Sequence, residues 1–401
     1  MNGSPTWPTA NPDAPTVIPA RGARRHGPES RVNPPWPTVP LLDALADITG
    51  GNRKIPKIDY QANGELAVVD QGNGLVAGFV DDASAAVGAA PPTIVFGDHT
   101  RVFKFVDFPF AMGADGIKVL KTREGIYPKF AFHFLQSATL PNAGYSRHFK
   151  FLKEVQFPLP PLGVQRRIAE ILDAADAVRA ARQAALVRLD ELPQAIFHQM
   201  FACQNWPMST LNELSTITGQ YGANVPSIEW AEGLPRYIRI TDIDDGGRLT
   251  DDARAPGGDA ELWSNYHISA GDLLFARSGA TVGKTYLHRD SQPNAVFAGY
   301  LIRFRLDTSI ALPEFISAFT RSPRYLTWVA ARQNVVAQPN INAKQYGNEL
   351  PVPVPPLELQ REFAAKVEAA ERTRAVVVDA LKADNELFAA LQIQSFADGA
   401  A

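Results

Sequence analysis

Two stretches of this chain repeat each other, and the repeat limits the possible folds more than any other feature. The segment VQFPLPPLGVQRRIA at 155–169 recurs as LPVPVPPLELQREFA at 350–364. Upstream, LLDALADITGG at 41–51 recurs as TLNELSTITGQ at 210–220. Because both matches keep their order, the chain is a tandem of two copies, each a mixed domain followed by a proline-marked helix. The spacing is larger in the second copy, which therefore carries extra sequence between its two landmarks.

A long amphipathic helix is predicted after each proline pair, because proline is tolerated in the first turn of a helix and not in its interior. Apolar residues then follow at three- and four-residue spacing, close to a heptad stripe. Roughly 35 residues at about 1.5 Å each make a rod of about 50 Å, too long for one small core to cover. Pro193 is expected to kink or end the first helix.

The two helices are therefore expected to bury each other as an antiparallel coiled coil. The alternative is that each helix packs on its own domain. The positions predicted for this stripe and for partner contacts are Leu162, Gln165, Ile168, Leu172, Leu357, Gln360, Phe363 and Val367.

The globular parts of both copies are strand-rich in pattern. TIVFGDHTRVFKFVDF at 93–108 and AGYLIRFRL at 298–306 alternate apolar and polar residues, as strands do. Short helical stretches follow at 130–137 and 313–322. The predicted fold class is α+β, with two mixed, strand-rich domains joined by the two helices in a pseudo-twofold tandem repeat. The predicted segments are a disordered Pro-rich extension at 1–38, a first domain at 39–157, a helical spacer at 158–202, a second domain at 203–354 and a second spacer at 355–396.

Charge and cysteine content exclude several classes of protein. The 39 Lys and Arg against 42 Asp and Glu give a net charge of -3, which excludes a uniformly basic nucleic-acid binder. The single cysteine, Cys203, forms no internal disulfide, and no Cys/His cluster has zinc-site spacing. No apolar run of about 18 residues is present for a membrane span, and the N-terminus lacks the apolar core of a signal peptide. A cytoplasmic protein with no metal and no cofactor is expected.

Two motifs resemble parts of enzymes, and both lack the required context. Asn33-Pro34-Pro35-Trp36 spells the motif with which amino-methyltransferases hold adenine, but no Gly-rich βαβ unit precedes it. Gly279 to Thr285 resembles a phosphate-binding loop, but three residues separate its glycines and a β-prone segment replaces the expected helix. The alternative that the chain is a nucleotide- or S-adenosylmethionine-dependent enzyme rests on these two motifs. Around Gly97-Asp98-His99 no second histidine or nucleophile completes a catalytic set, so no catalytic residue is predicted.

Double-stranded DNA is the favoured ligand, although neither domain is basic overall. Residues 39–157 contain 12 basic and 12 acidic side chains, and residues 209–354 contain 13 and 15. The basic side chains cluster with aromatic and amide residues, which neutralise phosphates and read base edges. A solvated face explains any one cluster; their recurrence before each proline-marked helix favours DNA. The predicted DNA-binding residues are Arg101, Lys104, Lys118, Lys121, Arg123, Tyr145, Arg147, Lys150, Arg277, Ser278, Lys284, Arg321, Arg324, Asn340, Asn342, Lys344 and Tyr346.

Taken together, these motifs resemble the specificity subunit of type I restriction-modification systems. The resemblance covers about residues 39–395. Its most specific part is the helix start PxPPLxxQ, which follows each of two dissimilar domains, with GDLLFARSGATVGKTYL and QPNINAKQYG between the two copies. It implies that 39–157 and 203–354 are target recognition domains, each reading half of a split DNA sequence. It implies that the helices set the spacer and dock methyltransferase subunits, to which restriction/translocase subunits attach. It also implies that the catalytic residues lie on those partners. The proline-rich extension is a departure from the family pattern.

Overall fold

The structure is a computed structural model that describes residues 36–114, 116–141, 146–333 and 339–397. The chain divides into two compact units. Unit 1 comprises Met1–Ala185 and Val377–Ala401, and unit 2 comprises Leu186–Val376. The predicted extension at 1–38 lies almost wholly outside the described residues.

Unit 1 is built on two four-stranded sheets. Its strands are β1 (Thr38–Pro40), β2 (Leu45–Asp47), β3 (Lys54–Ile55), β4 (Leu66–Val69), β5 (Gly78–Val80), β6 (Thr93–Gly97), β7 (Phe103–Val106), β8 (Phe110–Gly113), β9 (Ile117–Thr122) and β10 (Gln156–Pro158). Its short helices are α1 (Leu41–Ala44), α2 (Pro128–Ser137) and α3 (Phe149–Leu152), and the long helix α4 (Leu162–Phe201) begins in it. One sheet has the strand order β2-β9-β6-β7 and the other β3-β8-β4-β5, while β1 pairs with β10.

Unit 2 repeats the main sheet of unit 1, whereas two separate two-stranded sheets stand in place of the second four-stranded sheet. Its strands are β11 (Met208–Thr210), β12 (Ser215–Tyr221), β13 (Ser227–Glu229), β14 (Arg236–Ile238), β15 (Arg254–Pro256), β16 (Asp272–Ala276), β17 (Thr285–Leu287), β18 (Ala295–Phe297), β19 (Leu301–Leu306) and β20 (Pro351–Pro353). Its helices are α5 (Pro313–Phe319), α6 (Pro323–Gln333), α7 (Ala343–Glu349) and the start of α8 (Leu357–Ala397). The two-stranded sheets pair β13 with β15 and β14 with β18. The main sheet has the order β12-β19-β16-β17, and β11 pairs with β20. This is the unit 1 order with every number raised by ten, so the predicted tandem α+β repeat is confirmed.

Each unit has its own apolar core between its main sheet and its helices. In unit 1, Phe96 of β6 and Phe157 of β10 are fully buried together with Phe130 of α2. In unit 2, Phe275 of β16 and Phe315 of α5 occupy the corresponding core. Alternating apolar side chains on the strands supply one face of each core, because successive strand residues point to opposite faces.

Helices α4 and α8 pack against each other in both units. In unit 1, Arg182 of α4 forms an ion pair with Asp384 of α8, and the Arg179 guanidinium lies 4.3 Å from the centre of the Phe388 ring. In unit 2, the Phe197 ring of α4 meets the Phe363 ring of α8 with centres 5.8 Å apart. Residue numbers rise along α4 where they fall along α8, so the pairing is antiparallel. The predicted coiled coil is confirmed.

Pro193 does not end or interrupt helix α4, which continues to Phe201. The turns after the proline are held by packing, since Phe197 and Phe201 are buried in the core of unit 2. Tertiary burial here outweighs the loss of one helical hydrogen bond.

The two glutamines predicted for the helix stripe have a different role. The Oε1 atom of Gln165 accepts a hydrogen bond from the Tyr127 N–H at 2.8 Å, and its Nε2 donates to the Gly125 and Pro160 carbonyls at 3.1 and 2.9 Å. Its side chain is buried. The side chain thus fastens the start of α4 to the loop before α2 in its own unit.

Gln360 makes the same three bonds in unit 2. Its Oε1 accepts from the Leu312 N–H at 2.8 Å, and its Nε2 donates to the Ile310 and Pro355 carbonyls at 3.1 and 2.8 Å. The prediction that the two glutamines lie between the helices was therefore wrong. Their buried side-chain amides instead bond to backbone groups that the turn before α2 or α5 leaves unpaired.

The apolar stripe residues at the helix starts also pack on their own units. Ile168 and Leu172 are buried in the core of unit 1, and Phe363 and Val367 in that of unit 2. Leu162 is 43% exposed and Leu357 is half-buried. Each long helix thus first anchors its own domain, and further along it packs on the other helix.

Candidate nucleic-acid interfaces

In unit 1, the loop of the β6–β7 hairpin is tied to the segment that leads into α3. The carbonyl of Asp98, the first residue after β6, accepts from the His148 N–H at 2.9 Å. The Asp98 carboxylate accepts from the Phe149 N–H at 2.7 Å. This junction brings two basic segments, predicted separately from the sequence, onto one surface.

Three exposed cations surround the unit 1 junction. Arg101 lies in the hairpin loop in a left-handed conformation, with φ at 62°, and Arg147 and Lys150 flank the start of α3. Lys150 lies over the Phe151 ring at 4.8 Å. Within the part of the chain that the structure describes, none of the three forms an ion pair. They are therefore free to neutralise phosphates.

Other predicted residues of unit 1 already have partners. Lys118 pairs with Asp47 at 3.2 Å and lies over the Phe149 ring. The Lys121 ammonium donates to the Ala90 and Pro92 carbonyls. Arg123 Nε donates to the Leu42 carbonyl at 3.2 Å. Tyr145 lies outside the described residues.

Lys104 is a correction to the predicted surface set. Its side chain is buried, and its ammonium donates to the Asp70 carbonyl at 2.7 Å, with the Asp70 carboxylate 3.6 Å away. Burial lowers the pKa of Lys104, and Asp70 partly offsets this. Asp70 follows β4 of the second sheet, which covers the face of β7 on which Lys104 lies. Lys104 therefore lies inside unit 1 and is not part of an exposed basic surface.

In unit 2, the β16–β17 loop makes the equivalent junction. Arg277 is the first residue after β16, and its carbonyl accepts from the Ile341 N–H at 2.8 Å. Ser278, which is partly buried, forms a β-bridge with Asn340. In both units, therefore, the hairpin loop (β6–β7 or β16–β17) is bonded to the segment that leads into the following short helix (α3 or α7). The side chains at the two junctions differ.

The side chain of Arg277 is held in place by its neighbours. Its guanidinium lies 4.8 Å from the centre of the Tyr221 ring, and its Nε donates to Asn340 Oδ1 at 3.3 Å. The Tyr221 hydroxyl in turn accepts from the Ala343 N–H at 3.1 Å. Tyr221 was not predicted, although it directly follows the repeated segment TLNELSTITGQ.

Helix α7 presents Lys344 to solvent, and Asn342 caps the helix. The Asn342 Oδ1 accepts from the Gln345 N–H at 2.9 Å, and the Gln345 side chain accepts from the Asn342 N–H at 3.0 Å. This capping box occupies the amide predicted to read a base. Lys344 is exposed, and none of the described residues pairs with it.

Tyr346 is buried and Arg321 is partly buried with its guanidinium engaged, which corrects their predicted exposure. The Tyr346 hydroxyl donates to the Ala276 carbonyl at 2.9 Å, and burial raises its pKa. Arg321 donates to the Ser317 and Thr285 carbonyls, and burial lowers the pKa of Arg321 to about 10. Both side chains brace the β16–β17 hairpin from inside. Arg324, by contrast, is exposed on α6.

The segment that resembles a phosphate loop is a turn between two strands. Gly279–Thr281 forms one turn of 3₁₀ helix, and strand β17 follows at Thr285. The Lys284 ammonium pairs with Asp245 at 2.8 Å and donates to the Ile243 carbonyl at 3.3 Å. No helix follows whose N-terminus could face phosphates. Of the Asn-Pro-Pro-Trp motif, residues 33–35 lie outside the described residues.

The described ranges hold neither a metal-binding cluster nor a membrane-spanning helix. They contain no group of three or more His, Cys, Asp or Glu side chains placed to hold a metal ion. None of the helices within them combines the length and the apolar character needed to cross a bilayer. Cys203 is an exposed free thiol.

Comparison with known proteins agrees with this architecture. Residues 36–186 match the family model described as the type I restriction modification DNA specificity domain. The chain is 25% identical over 251 residues to the Escherichia coli EcoBI specificity subunit, covering 54% of this chain and 52% of that protein. It is 28% identical over 286 residues to the EcoKI specificity subunit of Escherichia coli strain K12, covering 62% and 60%. The match thus spans between half and three-fifths of the length of these curated relatives.

A crystal structure of the type I restriction-modification S subunit from M. genitalium has the same fold. It superimposes with a TM-score of 0.60 at 16% identity, covering 92% of this chain and 98% of that chain. The family match lies at 36–186, and the likeness in fold extends over most of the chain. The chain is therefore similar in sequence and in fold to type I restriction-modification specificity subunits.

Proposed function

We propose that the chain is the DNA sequence-specificity subunit of a type I restriction-modification complex. In this proposal the recognition domains at 39–157 and 203–354 each read one half of a bipartite DNA target. The observation that carries it is the junction between a hairpin loop and the segment before a short helix, which occurs in both units. The backbone hydrogen bonds of this junction recur in both units. The side chain at the first position after the strand differs, being Asp98 after β6 and Arg277 after β16. A common frame with different side chains fits two different half-sites.

The energetics of recognition favour two linked reading heads. A small domain specifies few base pairs, and each mismatch costs roughly 1–3 kcal/mol. Two domains together discriminate far better, provided that the connection between them does not cost much conformational freedom. We propose that the spacers at 158–202 and 355–396, which form the paired helices α4 and α8, act as a stiff connection and fix the distance between the half-sites.

Protein partners are proposed for the outer faces of the long helices. In unit 1, Ile171, Val178 and Leu387 expose about half of their apolar side chains, and in unit 2 Val376 is 68% exposed. Apolar side chains exposed in rows fit a protein surface better than they fit phosphates. We propose that methyltransferase subunits dock here and that restriction/translocase subunits join through the complex, in the cytoplasm.

The chain itself is proposed to be non-catalytic. The 3₁₀ turn at Gly279–Thr281 and the pairing of Lys284 with Asp245 support this, because a phosphate loop needs both a helix and a free lysine. The purified chain is expected to show no saturable ATP or S-adenosylmethionine binding. Saturable binding that Lys284→Ala abolishes would revive the enzyme alternative.

The division of labour is tested by exchanging one domain. The chain is co-expressed with the methyltransferase encoded beside it, and methylated adenines are mapped across the host genome. Replacing residues 203–354 with the corresponding domain of another specificity subunit should change one half of the methylated sequence. The other half and the spacer length should stay as they were. A change in both halves would overturn the modular proposal, and an intact fusion that still gives the original sequence would do the same.

A further inference from the structure

We infer that Arg277 reads a guanine in the DNA half-site of unit 2, because its guanidinium is already held with its outer edge free. The inference rests on the proposed function and extends it to one side chain and one base.

The backbone of Arg277 is fixed on both sides. Its N–H donates to the Tyr300 carbonyl at 3.0 Å, and its carbonyl accepts from the Ile341 N–H at 2.8 Å. It directly follows β16, whose five residues are all buried. The backbone from which the Arg277 side chain extends is therefore fixed relative to the core of unit 2.

The side chain is held in one direction by two contacts. Tyr221 supports the guanidinium face at 4.8 Å, and the Tyr221 hydroxyl is itself bonded to the N–H of Ala343 at the start of α7. Asn340 accepts the Nε–H at 3.3 Å. Such stacking and hydrogen bonding restrict the rotamers of an arginine before any ligand arrives, which lowers the entropy cost of binding.

The contacts leave the recognition edge of the guanidinium open. Nε is engaged, whereas the structure gives the Nη1 and Nη2 groups no hydrogen-bond acceptor among the residues it describes. Two parallel N–H groups on these nitrogens match two neighbouring acceptors. Guanine presents such a pair, O6 and N7, in the major groove, and arginine to guanine is the commonest base-specific contact.

A phosphate could also accept two bonds from arginine, and the surroundings favour the base. The exposed side chains of Lys344 on α7 and Arg324 on α6 are simpler candidates for phosphate contacts. These side chains are not held by an aromatic ring or an amide. A fixed direction adds little to neutralising a phosphate, whereas it is required for discriminating one base edge from another.

Unit 1 differs at the equivalent position. Asp98 follows β6, and its carboxylate is occupied by the Phe149 N–H. This position in unit 1 therefore offers no guanidinium to a base. Loss of Arg277 should accordingly affect one half-site and leave the other unchanged.

The test maps methylated adenines for the full chain co-expressed with its methyltransferase, comparing wild type with Arg277→Lys and Arg277→Ala. Lysine keeps the charge and loses the planar fork. Both variants should relax one guanine position in a single half-site, with discrimination against other bases falling about tenfold or more. Lys344→Ala is the matched control, and it should lower methylation evenly over all sites without altering the sequence.

Each outcome decides the matter. If the Arg277 variants lower methylation evenly, as Lys344→Ala does, Arg277 contacts phosphate and the inference fails. It fails equally if both variants keep every base of the wild-type sequence. If Arg277→Ala does not co-purify with the methyltransferase, the methylated sequence of Arg277→Lys alone decides, because lysine preserves the charge and the approximate size. A wild-type complex that methylates no split sequence would overturn the proposed function itself, which is a separate result.

Discussion

At the residue scale, a buried side-chain amide fixes the start of each long helix. Gln165 and Gln360 each satisfy one backbone N–H and two carbonyls, and neither side chain reaches solvent. A leucine would fill similar space and leave those three backbone groups without partners. Each buried group left unpaired costs about 1–3 kcal/mol. The repeated PPLxxQ motif is thus explained by anchoring of the helix to its own domain.

Gln165→Leu should loosen the start of α4 from unit 1. The Tyr127 N–H loses its acceptor, so its hydrogen exchange should accelerate at least about fivefold, which corresponds to the lower end of that cost. Gln394→Leu, at an exposed position of α8, is the control and should leave this exchange unchanged. Unaltered exchange at Tyr127 in the Gln165 variant would show that the clamp is unimportant.

A second residue-scale prediction concerns pH. His133 of α2 is buried and bonded to Asp173 of α4 at 2.7 Å. Burial lowers the pKa of His133 below 6.5, and Asp173 and Asp176 partly offset this while Lys129 adds to the lowering. The unfolded chain then binds a proton more readily than the folded one, so stability falls as pH decreases through 6.5 towards the folded pKa.

The resulting change should be local to unit 1. Hydrogen exchange in α2 should accelerate between pH 7.5 and 5.5, after correction for intrinsic rates, and His133→Gln should reduce this acceleration. His288 of unit 2, whose pKa is also lowered by burial, should continue to respond in the variant and serves as an internal control. An unchanged pH response of α2 in the variant would contradict the assignment.

At the element scale, the proline-marked repeat predicted both long helices and their starts because proline, glutamine and heptad spacing are local signals. The continuation of α4 through Pro193 could not be predicted in this way, since Phe197 and Phe201 gain their burial from residues distant in sequence. The burial of Lys104 was missed for a related reason. Alternation along β7 suggested one solvated face, but Asp70 of the other sheet lies over it. A local sequence pattern predicts a helix or a strand, but it does not reveal which distant residues pack on that element.

The helix pair should control spacing and not base choice. Inserting seven residues of matching heptad pattern into both α4 after Ala185 and α8 after Val376 adds about 10 Å to each helix and preserves the apolar stripe. The methylated sequence should keep both halves and gain a longer spacer. Inserting two residues into α4 alone breaks the register and should abolish methylation. If the heptad variant methylates a sequence with an unchanged spacer, the helices do not set the spacer length.

At the scale of the whole molecule, a net charge of -3 is compatible with DNA binding because phosphate contacts need only local groups of cations. The junctions expose Arg101, Arg147 and Lys150 in unit 1 and Lys344 in unit 2. Most other predicted basic residues are engaged within their own unit. Sequence clustering pointed to these segments, whereas the folded chain was needed to separate cations without ion pairs from those that hold the hairpins.

The central claim is that the two units read two different halves of one DNA sequence. The most direct measurement is a genome-wide map of methylated adenines in a host that has no other adenine methyltransferase and expresses this chain with its methyltransferase. The account predicts a split, asymmetric sequence with a spacer of constant length, and no such methylation when this chain is omitted. A continuous methylated sequence, or the same methylation without this chain, would contradict it.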